Sequence, residues 1–281
     1  NEGEEEKIST GLQALQAEDP TFKVIHSAEL NQIIIAGQGE MQLQILVEKL
    51  KTRFGVEARL SEPGVPFRET ITANADEKYR HKKQSGGAGQ FAEVWMRIEP
   101  LERGADFEFE SKVVGGNISQ SFIPAIEKGV KQVMERGVVS GHKVVDVKAV
   151  VYDGKEHPVD SKDIAFQIAG REVFKMAVKN AKPILLEPIF DIRVKVPEDY
   201  MGDVMGDISS RRGKIQGMEA EGRYQVINAK VPLADLYRYC THLRSMTQGR
   251  GLFSRTFSHY EKMPDEEARK VISGYESKEE E

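Results

Sequence analysis

Between residues 189 and 259 the hydrophobic period alternates in an order that few folds accommodate. Strand-like runs at 189–196, 214–219, 225–231 and 252–259 enclose helical patterns at 199–210 and 233–246. A β-α-β-β-α-β succession of this length closes into a two-layer sandwich, with two helices packed on a four-stranded sheet. The first sixty or so residues repeat that order without a front strand. Ile8, Leu12 and Leu15 recur at helical spacing until Asp19-Pro20, and strands are predicted at 22–26 and 32–36. A helix then carries Met41, Leu43, Leu46, Val47, Leu50 and Phe54, Gly55 stops it, and a strand is predicted at 56–60.

The turn-rich stretch 61–66 and Leu186-Glu187-Pro188 bracket a region of another kind. It holds strand-like runs at 68–75, 92–100, 106–113 and 144–152 and helical patterns at 119–135 and 160–181, the second ending before Pro183. The sequence therefore predicts an α+β protein with domains at 1–61, 62–187 and 188–262. Two ferredoxin-like sandwiches, the first lacking its front strand, flank an elongated α+β domain. Residues 263–281 form an acidic tail that, like the glutamate-rich start, is expected to be solvated or frayed.

The net charge of −5 opposes bulk attraction to a polyanion, but charge is unevenly placed: −4 over residues 1–61, zero over 62–187, +3 over 188–260 and −4 over 261–281. No apolar run approaches the roughly 18 residues of a membrane span. The acidic start is neither a signal nor a transit peptide, which points to the cytoplasm. A single cysteine, Cys240, excludes an internal disulfide and a cysteine metal cluster. Its helical pattern with Leu233, Leu236, Tyr237 and Leu243 reads as a small core residue. The histidines are scattered and no His-Glu-x-x-His run occurs, so no metal site is predicted.

Three stretches could carry chemistry. Lys82-Lys83-Gln84-Ser85-Gly86-Gly87-Ala88-Gly89-Gln90-Phe91 follows Lys78, Arg80 and His81. Glycines allow a tight tip and close approach of another chain, cations suit phosphates, and the amides of Gln84 and Gln90 suit sugars or bases. Read alone, the stretch is equally a solvated basic hairpin. It lacks the Lys-Ser/Thr of a phosphate-binding P-loop and the third glycine of a dinucleotide fingerprint. His157, in the loop 153–160, is followed by Asp160 and Ser161, either of which could cap the next helix. As a general base it would want Glu156 or Asp160 to orient it, yet no nucleophile is placed beside it, so no catalytic residue is assigned. Arg211, Arg212 and Lys214, with Gly213 in a left-handed turn, leave one helix, and Arg244 and Arg250 leave another. Cations at a helix C-terminus suit the dipole and equally suit a phosphate backbone, and the two exits could form one basic edge.

Ala36-Gly37-Gln38-Gly39-Glu40-Met41-Gln42-Leu43, the run 83–91, His157-Pro158-Val159-Asp160-Ser161, Leu185-Leu186-Glu187-Pro188-Ile189 and Gly202-Asp203-Val204-Met205-Gly206-Asp207-Ile208 together resemble the C-terminal half of bacterial elongation factor G. The resemblance implies its third, fourth and fifth domains, the fourth with a ribosomal-protein-like fold. It implies a translational GTPase that binds the ribosome and promotes tRNA–mRNA translocation, with GTP and Mg²⁺ held in an N-terminal domain not included here and no cofactor in these residues. Lys82, Lys83, Gln84, Ser85, Gly86, Gly87, Gln90 and His157 would meet tRNA and mRNA in the decoding site. Arg211, Arg212, Lys214, Arg244 and Arg250 would meet ribosomal RNA. A monomer with no membrane partner is implied. Ala88 stands where many relatives carry arginine or another polar residue, and Ser119 where proline is common. Those departures and the glutamate-rich tail suggest the alternative of a paralogue acting in ribosome recycling or protection.

Overall fold

The computed structural model describes the backbone of residues 2–85 and 88–279 and the side chains of residues 6–83 and 89–275. The chain forms two compact units, residues 1–66 with 188–260, and residues 67–187 with 261–281.

In the first unit, α1 (Glu2–Glu18) precedes a ribbon of β1 (Lys23–Ser27) and β2 (Gln32–Ala36), and α2 (Glu40–Phe54) follows it. The strands pair antiparallel from Lys23↔Ala36 to Ser27↔Gln32. Leu12 and Leu15 of α1, Phe22, and Leu46 and Leu50 of α2 form the core, with Val24 and Ile35 packed against it. The strand predicted at 56–60 does not form. Gly55, at φ +66°, donates to the Lys51 carbonyl and Val56 donates to that of Leu50, so the first residue of the supposed strand is consumed in ending α2. Residues 57–60 follow without a ladder partner.

The second unit opens with β3 (Arg68–Ile71), β4 (Ala75–Ser85), β5 (Ala88–Pro100) and β6 (Phe107–Ser111). After a 3₁₀ turn at Gln120–Phe122 come α3 (Ile123–Arg136), β7 (Val147–Lys155) and α4 (Asp163–Asn180). One sheet has the order β4-β5-β7-β6, with β6 parallel to β7 and the other pairs antiparallel. Alternate residues Val94, Met96 and Ile98 of β5 and Val147, Ala149 and Val151 of β7 meet Phe166, Val173 and Phe174 of α4 in its core. The run expected as one strand at 68–75 is two, and β4 continues through the basic stretch to Ser85.

The chain leaves this unit within β8 (Pro183–Pro197), whose first residues pair with β3 from Ile71↔Pro183 to Arg68↔Leu186. The rest of β8 belongs to the first unit, with α5 (Met201–Ser210), β9 (Lys214–Glu221), β10 (Tyr224–Pro232), α6 (Tyr239–Met246) and β11 (Leu252–Lys262). Spatial order β11-β8-β10-β9 is the 4-1-3-2 arrangement of a ferredoxin-like sandwich. Its core joins Ile192, Val194 and Val196 to Val204, Ile208 and Leu243. The helix expected over 233–246 is interrupted: a 3₁₀ turn at Leu233–Leu236 ends, Arg238 takes φ +53°, and α6 begins at Tyr239. That break turns Tyr239 into the core and leaves Cys240 half-buried, its Sγ 3.7 Å from the Gln38 carbonyl, so Cys240 is not a core residue.

The acidic tail is not frayed over most of its length. Residues Asp265–Glu279 form α7, and the ring of Tyr275 lies 2.5 Å from where a side chain on Gly141 would begin. Asp265, Glu266 and Glu267 fill its first turn, where acidic side chains favour the helix dipole. Among the described residues, no helix is long and apolar enough to cross a membrane.

Candidate nucleic-acid interface

β4 and β5 pair without interruption from Ala75↔Ile98 to Ser85↔Ala88. At about 3.4 Å per residue that makes an arm roughly 35 Å long. β7 accompanies β5 only as far as Glu93↔Lys155. A free two-stranded ribbon is marginal in water, and the loop after β7 supplies what the sheet does not. The Phe91 N–H donates to the Asp160 carbonyl at 3.0 Å, and the Ser161 hydroxyl donates to the Phe91 carbonyl at 2.8 Å. A Cβ on Gly89 would lie 2.4–2.7 Å from the Asp160 carboxylate, so any other residue there would push that side chain aside. The two loops singled out in the sequence therefore lie at the same end of this unit.

Ser161 does not cap α4. Its hydroxyl accepts from the His157 N–H at 2.8 Å, while Lys162 occupies the N-cap position with no side-chain cap. The His157 ring closes the same turn. Its Nδ1 accepts from the Asp160 N–H at 3.2 Å, with Val159 N–H at 3.4 Å, and the ring stands 6.1 Å from that of Phe91. With Nδ1 accepting, the neutral ring carries its proton on Nε2, and the half-exposed ring offers an N–H donor to the outside. Of the two carboxylates considered as orienting partners, Asp160 Oδ2 lies 3.4 Å from Nδ1. Glu156 turns elsewhere, accepting from the Ser119 N–H and Oγ at 2.8 and 2.9 Å. Proline at 119 could not donate that N–H. Asn117 Nδ2 donates to Asp153, whose carboxyl is held below the usual range by that bond first and by the Gly154 N–H second.

The cations of the arm divide. Arg80 Nε sits 2.5 Å from the buried Glu93 carboxylate, which also accepts from Trp95 Nε1 at 2.9 Å. Burial pushes the Glu93 carboxyl up, but the bonds from Trp95 and Arg80 outweigh it and hold it below the carboxylate range. Lys78 lies over the Trp95 ring, 5.3 Å from its centroid. Both cations, expected at phosphates, therefore have partners within the arm. Lys82 and Lys83 are exposed and have no acidic partner among the described residues. The Gln90 Oε1 is 3.0 Å from His81 Nε2. Gln84 pairs with Gly89 and Ser85 with Ala88 through the backbone. The side chains of Gln84, Ser85 and Ala88, and all of Gly86 and Gly87, lie outside the described residues.

The basic helix exits of residues 188–260 are organised differently. Arg211 pairs with Asp207 at 2.9 Å, donates to the Asp235 carbonyl and stacks 5.1 Å over the Tyr239 ring, while Arg212 reaches the Asp235 carboxylate at 2.7 Å. Arg212, at φ +58°, makes the left-handed turn assigned from sequence to Gly213. Gly213 is needed instead because a Cβ would meet Ile208 at 2.5 Å. Arg250 stacks on Tyr200 at 4.7 Å and donates to its hydroxyl. Tyr200 precedes α5 and Tyr239 begins α6, so Arg211 and Arg250 mark opposite ends of this helix pair and the single basic edge does not form. Lys214 and Arg244 are exposed, and Arg244 Nη1 approaches within 2.8 Å of where a Gly39 side chain would begin.

Sequence reading missed a third cationic face. Lys128 and Arg136 of α3 and Arg171, Lys175 and Lys179 of α4 line one open groove. The i, i+4 spacing of the three cations on α4 was the available signal, hidden by the zero net charge of the region. Among the described residues, no three or more His, Cys, Asp or Glu are placed to hold a metal ion.

Three family models match consecutive parts of the chain: elongation factor G domain III at 1–62, elongation factor G domain IV at 63–182, and the elongation factor G C-terminus at 184–271. A crystal structure of a protein from Thermus thermophilus is similar at TM-score 0.85 and 39% identity over 98% of this chain, which spans 41% of that protein's length. The chain belongs to the elongation factor G family of translation factors.

Proposed function

We propose that this chain is the ribosome-engaging C-terminal part of a translational GTPase and promotes tRNA–mRNA translocation, its arm entering the decoding site. The observation that carries the reading lies near the arm's end, where Phe91, Asp160, Ser161 and the His157 ring are hydrogen-bonded into one cluster. A tip that must hold a codon–anticodon pair needs outward donors on well-anchored turns, because single-stranded and splayed bases are recognised by hydrogen bonds and stacking. His157 offers Nε2–H, and Lys82 and Lys83 offer charge to phosphates.

These residues do not fit GTP. The chain has no Gly-x-x-x-x-Gly-Lys-Ser/Thr loop to cradle phosphates, so hydrolysis is assigned to the remainder of a longer parent. His157 then acts by positioning rather than by proton transfer, since its Nδ1 is occupied within its own turn. In the parent, His157→Ala should slow translocation about fivefold or more, the worth of one positioned hydrogen bond. Ribosome-stimulated GTP hydrolysis should stay nearly intact, and His157→Gln, which keeps a donor, should recover part of the loss. Equal loss of hydrolysis and translocation, or no rescue by glutamine, would refute the assignment. Hydrolysis on the ribosome without translocation in the unmodified parent would favour the paralogue acting in recycling or protection.

A further inference from the structure

We infer that the groove between α3 and α4 is a second nucleic-acid interface, which takes the phosphate backbone of ribosomal RNA. The identity of the polyanion rests on the ribosome-binding reading above; the groove itself is independent of the arm's tip.

The groove measures about 970 Å³ and is open to solvent. It exists because α3 and α4 pack at backbone distance. A Cβ on Gly129 would fall 2.2 Å from the Gln167 carbonyl, and one on Gly170 would fall 2.7 Å from that of Ile126. With the apolar residues of both helices turned inward, the outer flanks present their long side chains to one another. On α4, Arg171, Lys175 and Lys179 stand four residues apart, and on α3, Lys128, Gln132 and Arg136 do the same. Four residues of helix rise about 6 Å, so the α4 row places a cation every ~6 Å, while on α3 Lys128 and Arg136 stand ~12 Å apart with Gln132 between them. A nucleic-acid strand carries one charge per ~3.4 Å of axis, so a backbone laid along a stripe brings a phosphate to every cation.

A row of lysines on a helix is ordinarily a solvated face with acidic neighbours. Here the neighbours neutralise only part of it. Lys131 pairs with Glu127 at 2.6 Å, Arg171 and Lys175 share Glu172, and Glu135 is taken by Lys143. Lys128, Arg136 and Lys179 have no acidic partner among the described residues. All three are exposed and all three line the groove. In a chain of net charge −5, three unpaired cations converging on one concavity select for a polyanion. Cations spread over eight residues of each helix, about 12 Å, fit a backbone better than a compact anion. The cations named lie on helices and not in a phosphate-cradling loop, so recognition is of charge spacing and not of a single phosphate.

The test is salt-dependent binding of the 281-residue chain to isolated small and large ribosomal subunits, and to a short RNA duplex. The triple variant Lys128→Gln, Arg136→Gln, Lys179→Gln is compared with the tip variant Lys82→Gln, Lys83→Gln. Glutamine keeps helical propensity, and none of the three groove residues carries an ion pair whose loss would unfold the unit. The groove variant should lower the log–log salt slope by about two to three units and weaken binding about tenfold or more at moderate salt. If the unmodified chain binds subunits and only the tip variant changes the slope, the groove assignment is overturned while the proposed function stands. If the unmodified chain binds neither subunit, both fall. Displacement of RNA from the groove by poly-glutamate at matched charge, with the same loss in the groove variant, would assign the groove to an acidic polypeptide and overturn the assignment to RNA.

Discussion

Lys82 and Lys83 on the β4–β5 arm have no acidic partner among the described residues, whereas Arg211 and Arg212 at the end of α5 are each held by a carboxylate. Composition does not distinguish the two regions, since each offers two adjacent cations close to glycine. What differs is the neighbouring element. The arm projects past the end of β7 and is met there by the loop that follows β7, while Lys82 and Lys83 stay exposed. The end of α5 is packed beside the 3₁₀ turn that carries Asp235 and beside the Tyr239 ring, so its cations are absorbed. A cation's worth to a partner depends on what its own fold has already asked of it.

The sharpest way to break this contrast is Arg211→Ala. Asp207, only 12% exposed, would lose Arg211 and keep His242 at 3.1 Å, and the ring of Tyr239, whose buried hydroxyl has no hydrogen-bond partner among the described residues, would lose its cover. Removing one charged hydrogen bond from a mostly buried carboxylate together with a cation–π contact should cost about 2–3 kcal/mol. Urea unfolding followed by circular dichroism would measure it. A midpoint unchanged from the unmodified chain would mean that Arg211 is as free as Lys82.

A smaller effect is expected inside the arm, where Arg80 is the exception that holds a carboxylate. The Glu93 carboxyl has a lowered folded value, so its stabilising contribution is complete above the ordinary glutamate range and is lost as pH falls through that lowered value. Stability should therefore decline by about 1 kcal/mol below pH ~4.3, beyond the loss shared by other carboxylates. Glu93→Gln should remove that part of the acid limb and cost a similar amount at neutral pH. An identical acid limb in both proteins would show that Arg80 and Glu93 do not support the arm.

How far these regions were legible from sequence follows the range of the interactions. The order of elements over 188–260 was readable because each helix and strand declares its own period, and the 4-1-3-2 pairing is the arrangement that order usually takes. The pair Asp207–Arg211 was also legible, being an i, i+4 contact on one helix face. Asp235 was not, because 23 residues separate it from Arg212 and only packing brings them together. The strand predicted at 56–60 has apolar residues at alternating positions, but a strand needs a neighbour, and Val56 was already committed to the end of α2. Likewise the acidic tail read as solvated or frayed from charge alone; it is largely exposed, but it forms α7, with Tyr275 in contact over Gly141. At the candidate tip, glycines and the histidine loop were visible, but the bond that fixes the His157 tautomer depends on a turn geometry that sequence does not encode.

The subtlest change tests the other half of the contrast. Lys82 and Lys83 lie on the exposed part of a ribbon, make no ion pair among the described residues and cover no core residue, so Lys82→Ala with Lys83→Ala should shift stability by less than about 0.5 kcal/mol. Binding should respond out of proportion to that. A cation withdrawn from a phosphate takes roughly 0.7–0.9 of a unit off the salt slope, so the double variant should flatten it by about 1.5 units. Lys82→Arg with Lys83→Arg should leave the slope intact, since counterion release counts charges and not side-chain shape. The three measurements separate the possible roles of these residues. A stability loss comparable to Arg211→Ala would make them structural, an unchanged slope would make them solvated, and a flattened slope at unchanged stability would place them against phosphates.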